Sequence, residues 1–310
     1  MARIVISELM DTAAVEALAR DHTVRYEPDL VDRREELLAA VAGAEALIVR
    51  NRTRVDAELL AAAPALRVVG RLGVGLDNID LEACRARGIA VHPAIGANNV
   101  AVAEYVIAAI LLLLRGAFAA TASVLEGRWP REASIGREAC GKRLGLVGFG
   151  RIAREVAARA RALGMAIAAF DPLLPEDDPA WAGVERQATL EGLLAAADVV
   201  SLHVPLTRET RGLLDARAIA GMRPGAILIN TARGPVVDVR AVAAALRAGR
   251  LGGAALDVFE EEPLSAEAAR IFVGCPNLIL TPHVAGVTVE SNARVSAMVA
   301  EAVRRVLEGG

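Results

Sequence analysis

The segment from Leu144 to Pro172 constrains the fold of this chain more than any other. An apolar, strand-like run leads into GFGRIA (148–153), which is followed by the helical pattern REVAARARAL. A strand that enters a helix through G-x-G-x-x-G/A is typical of a doubly wound parallel sheet that binds a dinucleotide. Gly148 permits the tight turn, Gly150 admits a pyrophosphate to the helix N-terminus, and Ala153 lets the helix pack on the strand.

Asp171 supports the same interpretation. It ends the next predicted strand, about 20 residues beyond the glycine loop, where an acidic side chain accepts hydrogen bonds from the adenosine ribose. A carboxylate there repels a 2′-phosphate, and no arginine follows directly in DPLLPEDD. A turn residue before Pro172 is the simpler alternative for Asp171. Together with the glycine loop, however, the residue favours NAD over NADP as the cofactor.

Strand-like and helical runs alternate along most of the 310 residues, which predicts an α/β fold of two doubly wound parallel-sheet domains. The first series has predicted strands at Arg3–Ser7, Thr23–Tyr26, Ala46–Val49, Val68–Arg71 and Ala90–His92. The second has predicted strands at Leu144–Gly148, Ala166–Phe170, Val199–His203, Ala226–Asn230, Gly253–Ala255 and Leu278–Leu280.

The last helix, predicted at Val289–Leu307, begins only after the second sheet is complete. We expect it to pack on the first domain, which would make that domain discontinuous. The sequence therefore predicts a flavodoxin-like substrate domain, residues 1–97 plus 285–310. A Rossmann NAD-binding domain, residues 98–284, is inserted into it. The apolar run Tyr105–Leu114 is too short to cross a bilayer, which takes about 20 residues, so we expect a buried helix there.

Composition excludes several classes of function. The net charge of −3 gives no general attraction to nucleic acid or to an anionic membrane. The N-terminus lacks the pattern of a signal peptide, and the three cysteines form no zinc-binding cluster. We expect a cytoplasmic protein that keeps its thiols reduced, holds no metal and binds neither nucleic acid nor membrane. Any anionic ligand must be attracted by local arginines.

Three polar residues follow three predicted strands of the second domain: Arg233, Glu262 and His283. Ligands of an open parallel sheet bind beyond the carboxyl ends of its strands, so these residues can converge. A guanidinium binds a carboxylate through two hydrogen bonds, and a histidine exchanges a proton with a neighbouring oxygen. A nearby glutamate orients the imidazole and favours its charged form. Each residue alone could be a surface ion pair or a strand-end cap. Together they predict the interconversion of a 2-hydroxy acid and its 2-oxo acid.

The chain resembles the D-isomer-specific 2-hydroxyacid dehydrogenase family over about residues 46–306. The resemblance rests on ordered motifs, namely GRLGVGLDNID (70–80), Asn98…VAEYV, GFGRIA, DVVSLHVPLT (198–207), NTARGPVVD (230–238), GGAALDVFEEEPL (252–264) and LTPHVAG (280–286). It implies that Arg233 binds the carboxylate, that Glu262 partners His283, and that His283 is the general acid/base. It also implies closure of a cleft and a homodimer built around the long-helix region.

The resemblance further implies two sets of binding residues. Asp257 is expected on the nicotinamide side of the cofactor. The other cofactor contacts are expected at Val74, Gly148, Gly150, Arg151, Ile152, Asp171, His203, Val204, Pro205, Thr231, Ala232, Arg233, His283 and Gly286. Substrate contacts are expected at Arg50, Arg71, Val74, Gly75, Arg233 and His283.

Within this family the chain is most similar to 3-phosphoglycerate dehydrogenases, in a short form without a regulatory domain. Arg50 and Arg71 match two arginines that contact the distal phosphate there, although both could simply cap strand ends. Val74 and Ala101 replace residues that often carry hydroxyls, and Val-Ala-Gly-Val-Thr after His283 also departs from the pattern. Sulfolactate, which uses the same arginines, and glyoxylate or hydroxypyruvate therefore remain alternatives. A non-catalytic NAD-sensing interaction protein is the alternative from a different class.

Overall fold

The computed structural model describes residues 1–309. We number its strands and helices separately, in chain order. The strands β1–β12 span Arg3–Ile6, Thr23–Tyr26, Ala46–Val49, Val68–Arg71, Ala90–Pro93, Arg143–Val147, Ala166–Phe170, Glu185–Arg186, Val199–Leu202, Ala226–Asn230, Leu251–Leu256 and Leu278–Leu280. The helices α1–α12 span Thr12–Ala19, Arg34–Val41, Ala57–Ala62, Leu81–Ala86, Asn99–Arg115, Thr121–Leu125, Arg151–Ala162, Leu190–Ala196, Ala216–Gly221, Val239–Arg247, Ala266–Ala269 and Val289–Leu307.

The chain divides into two compact units. The first comprises residues 1–98 together with the segment from Val287 onward, and the second comprises Asn99–Gly286. The sequence prediction had placed these divisions after residues 97 and 284. All strand pairs of both sheets are parallel. The predicted fold class, two doubly wound parallel-sheet domains, is confirmed.

The first unit has the strand order β2-β1-β3-β4-β5, which is the flavodoxin-like arrangement. β3 and β4 are buried along their whole length, as expected for strands that helices cover on both faces. Helix α12 packs on this sheet and contacts β4 closely. A Cβ atom at Gly70 would lie only 2.5 Å from Val299 Cγ1, so the absence of a side chain at Gly70 permits this packing.

The second unit has the strand order β12-β11-β10-β9-β6-β7-β8. The order reverses between β6 and β9, where ligands of such sheets bind. Six of its seven strands were predicted, and β8 was not. β8 has only two residues, Glu185 and Arg186, both exposed at the edge of the sheet. It therefore lacks the apolar pattern by which a strand is recognised in a sequence.

Helix α5 is a core helix of the second unit. Its buried residues, among them Val106, Ile110 and Leu113, belong to the hydrophobic cluster that also contains Leu144 of β6. Within residues 1–309 no single helix is long and apolar enough to cross a membrane. The segments 99–115 and 117–125 meet that length and composition only when taken together, with a 66° bend between them.

Candidate functional site

The carboxyl ends of β10, β11 and β12 form one edge of the second sheet. Arg233 follows β10, Glu262 follows β11 and His283 follows β12. These strands are neighbours, with Asn230 paired with Leu256 and Leu256 with Leu280. The three side chains that the sequence singled out therefore start from the same end of three adjacent parallel strands.

His283 and Glu262 form a direct pair. His283 Nδ1 lies 2.6 Å from Glu262 Oε2, and the two side chains are 32% and 25% exposed. The other carboxylate oxygen, Oε1, accepts a hydrogen bond from the Phe259 N–H at 3.0 Å. The bond from Phe259 fixes the Glu262 carboxylate, and the fixed carboxylate orients the imidazole ring through Oε2.

The surroundings of Glu262 keep it ionised. Burial alone would raise the pKa of its carboxyl group. The hydrogen bond and charge of His283, the Phe259 N–H and the charge of Arg233 lower that pKa below its usual value. An ionised carboxylate only accepts hydrogen bonds, so the proton between the two side chains belongs to His283 Nδ1. His283 Nε2 is then the ring nitrogen available to exchange a proton.

Arg233 lies at the start of a short 3-10 turn after β10. Its Nη1 donates to the Ala232 carbonyl at 2.6 Å, and its own carbonyl accepts from Asn230 Nδ2 at 2.9 Å. These local bonds fix the backbone and part of the guanidinium. The charge of Arg233 also acts on Glu262, so the three predicted catalytic residues are electrostatically coupled.

The glycine loop 148–153 joins β6 to α7 as predicted. Gly148 has φ +83°, and a Cβ there would lie 2.8 Å from the His203 carbonyl oxygen. Only glycine satisfies both conditions without a shift in the loop. Gly150 differs, because among residues 1–309 no atom outside its immediate neighbours lies within 4 Å of a Cβ built there. Its small size leaves open space before α7 instead of relieving a contact within the protein.

Asp171 follows β7 beside this loop. Its Oδ2 accepts from the Phe149 N–H at 2.8 Å, and its Oδ1 accepts from the Leu173 N–H at 3.0 Å. The bond to Leu173 is the turn contact that the sequence offered as the alternative for Asp171. The bond to Phe149, which ties the glycine loop to this turn, was not predicted from the sequence. Phe149 is further fixed by stacking on Trp181, with ring centroids 5.3 Å apart.

His203 follows β9 at the reversal of strand order. Its Nε2 lies 2.9 Å from Ser201 Oγ, and burial lowers the pKa of His203 to about 4. The ring is neutral at physiological pH, so it offers the loop a hydrogen-bonding group without a charge. Val204 and Pro205 follow it in the same loop, and Thr231 and Ala232 follow β10. The Thr231 hydroxyl is buried, with no hydrogen-bond partner among residues 1–309.

The first unit has its own polar edge, where Arg50 follows β3 and Arg71 ends β4. Arg50 Nη1 donates to the Leu9 carbonyl at 3.2 Å and to Asn292 Oδ1 at 3.0 Å. Burial lowers the pKa of the Arg50 guanidinium, and the negative charge of Glu8 only partly opposes this effect. Within residues 1–309, Nε and Nη2 of Arg50 have no hydrogen-bond partner and the residue forms no ion pair. This side of the guanidinium is therefore open to an anion.

Arg71 ends β4, where it pairs with Val49, the residue directly before Arg50. The Arg71 side chain is buried and folds over Gly73, where a Cβ would overlap its Nη1. Nη1 donates to the Leu72 carbonyl at 3.0 Å. Val74 is 39% exposed in the loop that follows, and Gly75 comes directly after it.

Several residues of these edges were missed in the sequence. Glu8 is buried, and its carboxylate accepts from the N–H groups of Arg50, Arg52 and Thr53 at 2.7, 3.2 and 2.9 Å. Its position directly after a predicted strand could have indicated it. Asn292 could not have been found in this way, because it lies in a helix far along the chain.

The chain is similar to known proteins along almost its whole length. The family model described as "D-isomer specific 2-hydroxyacid dehydrogenase, NAD binding domain" matches residues 107–285. The chain is 58% identical over 307 residues to the (S)-sulfolactate dehydrogenase of Chromohalobacter salexigens, with 99% of each chain covered. It is 42% identical over 308 residues to the D-3-phosphoglycerate dehydrogenase of Mycobacterium tuberculosis. That alignment covers 99% of this chain but only 57% of the mycobacterial protein.

Among solved structures, the chain is similar to the D-lactate dehydrogenase of Aquifex aeolicus in complex with NAD and lactic acid. The TM-score is 0.86 at 28% identity, and 99% of this chain and 96% of that chain are covered.

The residues present in the second unit fit NAD. The open space at Gly150 and the uncapped start of α7 suit a pyrophosphate, which helix N-termini attract. Asp171 stands beside them, where a ribose is expected. Cofactor contacts at the remaining residues stay predictions. Among residues 1–309, no three His, Cys, Asp or Glu side chains converge as metal ligands.

Proposed function

This chain belongs to the D-isomer-specific 2-hydroxyacid dehydrogenase family, and on that basis we propose that it oxidises sulfolactate to sulfopyruvate with NAD. The family and the NAD dependence are shown by the comparisons. The identity of the acid is our proposal, and the roles of individual residues follow from their positions.

Arg50 is the observation that supports an acid with an anionic far end. Its guanidinium is desolvated, held through Nη1, and open at Nε and Nη2, which is the side that binds two oxygens of an anion. The Glu8 charge offsets only part of the desolvation of Arg50, and a bound anion would supply further counter-charge. Arg71 on the neighbouring strand adds a second positive charge.

Sulfolactate is favoured over 3-phosphoglycerate by the 58% identity over nearly full length to a sulfolactate dehydrogenase. The stereochemical labels agree with this choice. In sulfolactate the sulfur-bearing carbon outranks the carboxylate, whereas in phosphoglycerate the carboxylate outranks the phosphorylated carbon. The (S) label of sulfolactate therefore describes the same spatial arrangement at C2 as a D-2-hydroxy acid, and one active site can accept both.

The second unit supplies the chemistry. Arg233 binds the C1 carboxylate and orients C2. His283 Nε2 takes the proton of the C2 hydroxyl during oxidation and returns it during reduction. Glu262 accepts from His283 Nδ1 and stabilises the imidazolium as it forms. Bound NAD supplies the acceptor for the hydride that leaves C2.

The test is NADH oxidation by the purified chain with sulfopyruvate, phosphohydroxypyruvate, hydroxypyruvate, glyoxylate and pyruvate. We expect kcat/KM for sulfopyruvate to exceed that of the acids without a distal anion by more than about tenfold, or about 1.4 kcal/mol. If phosphohydroxypyruvate leads, the enzyme is a phosphoglycerate dehydrogenase. If glyoxylate or hydroxypyruvate leads, Arg50 and Arg71 are structural. NADH binding without turnover of any acid would favour an NAD-sensing interaction protein.

A homodimer is part of the same proposal. The segment after α5 exposes large apolar side chains, with Phe118 67%, Leu125 83%, Trp129 78% and Ile135 79% exposed. A concentration of this kind marks a surface that another protein covers. We assign it to a second copy of this chain, since the family resemblance implies a dimer in this region. Light scattering on Leu125→Glu should give a monomer where the wild type gives a dimer, and an unchanged mass would contradict the assignment.

A further inference from the structure

A chain of hydrogen bonds in the second unit connects α5 to the loop that carries His283. Tyr105 Oη lies 2.6 Å from Thr281 Oγ1, and Thr281 Oγ1 lies 2.5 Å from Asp257 Oδ1. Tyr105 belongs to α5, Thr281 follows β12 and Asp257 follows β11. None of these hydroxyl groups takes part in the proton transfer described above.

The direction of the hydrogen bonds follows from the groups involved. The Asp257 carboxylate only accepts, so Thr281 must donate its single hydroxyl proton to Oδ1. The Thr281 oxygen is then left as an acceptor for Tyr105. Burial raises the pKa of the Tyr105 phenol, which keeps it protonated and able to donate. The order of donation is therefore from Tyr105 to Thr281 to Asp257.

Asp257 also accepts hydrogen bonds from three consecutive residues of the loop after β12, residues 283–285. Its backbone carbonyl accepts from the His283 N–H at 2.8 Å. Its Oδ1 accepts from the Val284 N–H at 2.8 Å, and its Oδ2 accepts from the Ala285 N–H at 2.9 Å. His283 itself has φ +56°, in the left-handed region that residues with a side chain rarely adopt. Such a backbone persists only where the surroundings hold it, and here Asp257 holds it on both sides.

We propose that Tyr105 and Thr281 are positioning residues for His283. They act through the Asp257 carboxylate, which holds the N–H groups of Val284 and Ala285 directly after the strained backbone of His283. The inference rests on the proposed role of His283 as the acid/base. It adds two residues that have no part in the proton transfer itself: Tyr105, which lies in α5 far from His283 in the sequence, and Thr281, which precedes His283 by two residues.

The network predicts a pH dependence. Burial raises the pKa of Asp257, while the Thr281 hydroxyl, the N–H groups of Ala285 and Val284, and the charge of His283 oppose that rise. Loss of the Thr281 hydroxyl removes the largest of these opposing contributions, so Asp257 takes up a proton at higher pH. A protonated carboxyl group can no longer accept from every partner. The N–H groups of Val284 and Ala285 then lose their carboxylate partner on the acid side of the pH profile, which loosens the loop that follows His283.

The experiment compares Tyr105→Phe and Thr281→Val with two controls. Thr281→Ser keeps the hydroxyl, and Tyr26→Phe removes the other tyrosine hydroxyl of the chain, which bonds the Met10 backbone. For the acid that the wild type reduces best, we measure kcat, the KM for NADH and the pH profile. Hydrogen exchange of the peptide covering residues 281–286 provides a readout independent of activity.

We expect Tyr105→Phe to lower kcat about three- to tenfold and Thr281→Val by more, with the KM for NADH changed less than about twofold. The acid limb of the Thr281→Val profile should move to higher pH, and residues 281–286 should exchange faster in both variants. Thr281→Ser and Tyr26→Phe should resemble the wild type.

A wild-type pH profile together with wild-type exchange would overturn the proposal. If Thr281→Val fails to fold, Tyr105→Phe decides. If the wild type reduces no acid, the proposed function fails, and hydrogen exchange still tests the network.

Discussion

The two sheets present different chemistry at the carboxyl ends of their strands. The first unit presents Arg50 and Arg71, whose charges are permanent in the physiological range. The second presents His283 paired with Glu262, and we propose that His283 exchanges a proton with the substrate. Permanent charges suit the recognition of an anion, whereas a histidine pair suits a reaction that moves a proton. We propose on this basis that substrate choice is carried by the first unit and the chemistry by the second.

Both units nevertheless support their site residues in the same way. In the first, the buried Glu8 carboxylate accepts from the N–H groups of Arg50 and its neighbours. In the second, Asp257 accepts from the N–H groups that follow His283. A carboxylate that accepts several backbone N–H groups fixes a loop more strongly than neutral hydrogen bonds do. The difference between the units lies in the group presented and not in how its loop is held.

The largest expected effect comes from His283→Ala, which removes the group that we propose as the acid/base of the second unit. We expect kcat/KM to fall about 10²- to 10⁴-fold for every 2-oxo acid, since that is the usual contribution of general acid/base catalysis. NADH binding, followed by fluorescence titration, should remain. His92→Ala is a matched control, because His92 lies in β5 of the first unit. Retention of more than about a tenth of the activity would show that another group handles the proton.

His203→Gln tests whether the second unit also carries pH-dependent stability. The pKa of His203 is lowered to about 4, while an unfolded histidine has a pKa of about 6.5. Between these values the unfolded chain binds a proton that the folded chain does not. Stability from this residue is therefore complete above about pH 6.5 and is lost as the pH falls towards 4.

Between pH 7 and pH 5 this loss amounts to about 2 kcal/mol. Urea unfolding at both values should show a drop in stability that is smaller in His203→Gln by that amount. An equal drop in wild type and variant would mean that the imidazole also titrates normally in the folded state.

Arg50→Gln should affect substrate choice and little else. We expect kcat/KM for sulfopyruvate to fall more than about tenfold, because the anion loses a charge-assisted contact. For pyruvate, which has no distal anion, the change should stay below about twofold. Arg52→Gln is the control, since Arg52 is adjacent but paired with Asp32 at the surface. A similar loss for both acids would assign Arg50 to the general structure of the unit.

Asp171→Asn should give the smallest effect, a several-fold drop in the preference for NAD over NADP. The substitution removes the charge that repels a 2′-phosphate, and the amide oxygen can still accept from the Phe149 N–H. It is therefore a cleaner test than Asp171→Ala, which also loses that hydrogen bond. Initial rates with both cofactors measure the ratio. An unchanged ratio would leave Asp171 with only its role in the loop.

Much of the fold could be predicted because strands buried on both faces have continuous apolar sequences. Ala46–Val49 and Ala226–Asn230 are buried along their whole length and were predicted to the residue. The glycine loop could be predicted because its conformation at position 148 requires a glycine, and that glycine is visible in the sequence. β8 could not be, since an exposed two-residue strand depends on its neighbour and not on its own sequence.

The site was predictable only in part. Arg233, Glu262 and His283 could be singled out because each lies in the loop that follows a predicted strand. The contacts that hold them join distant parts of the chain, as Tyr105 does with Thr281 and Arg50 with Asn292. Such contacts form only when distant elements pack together, so no local sequence pattern predicts them.

The most direct test of the division between the units is kcat/KM for sulfopyruvate and for pyruvate in His283→Ala and in Arg50→Gln. The account predicts that His283→Ala lowers both values by the same factor and leaves their ratio unchanged. It predicts that Arg50→Gln lowers only the value for sulfopyruvate and reduces the ratio by more than about tenfold. If both variants lower both values equally, recognition and chemistry are not separated between the two sheet edges, and the central claim is wrong.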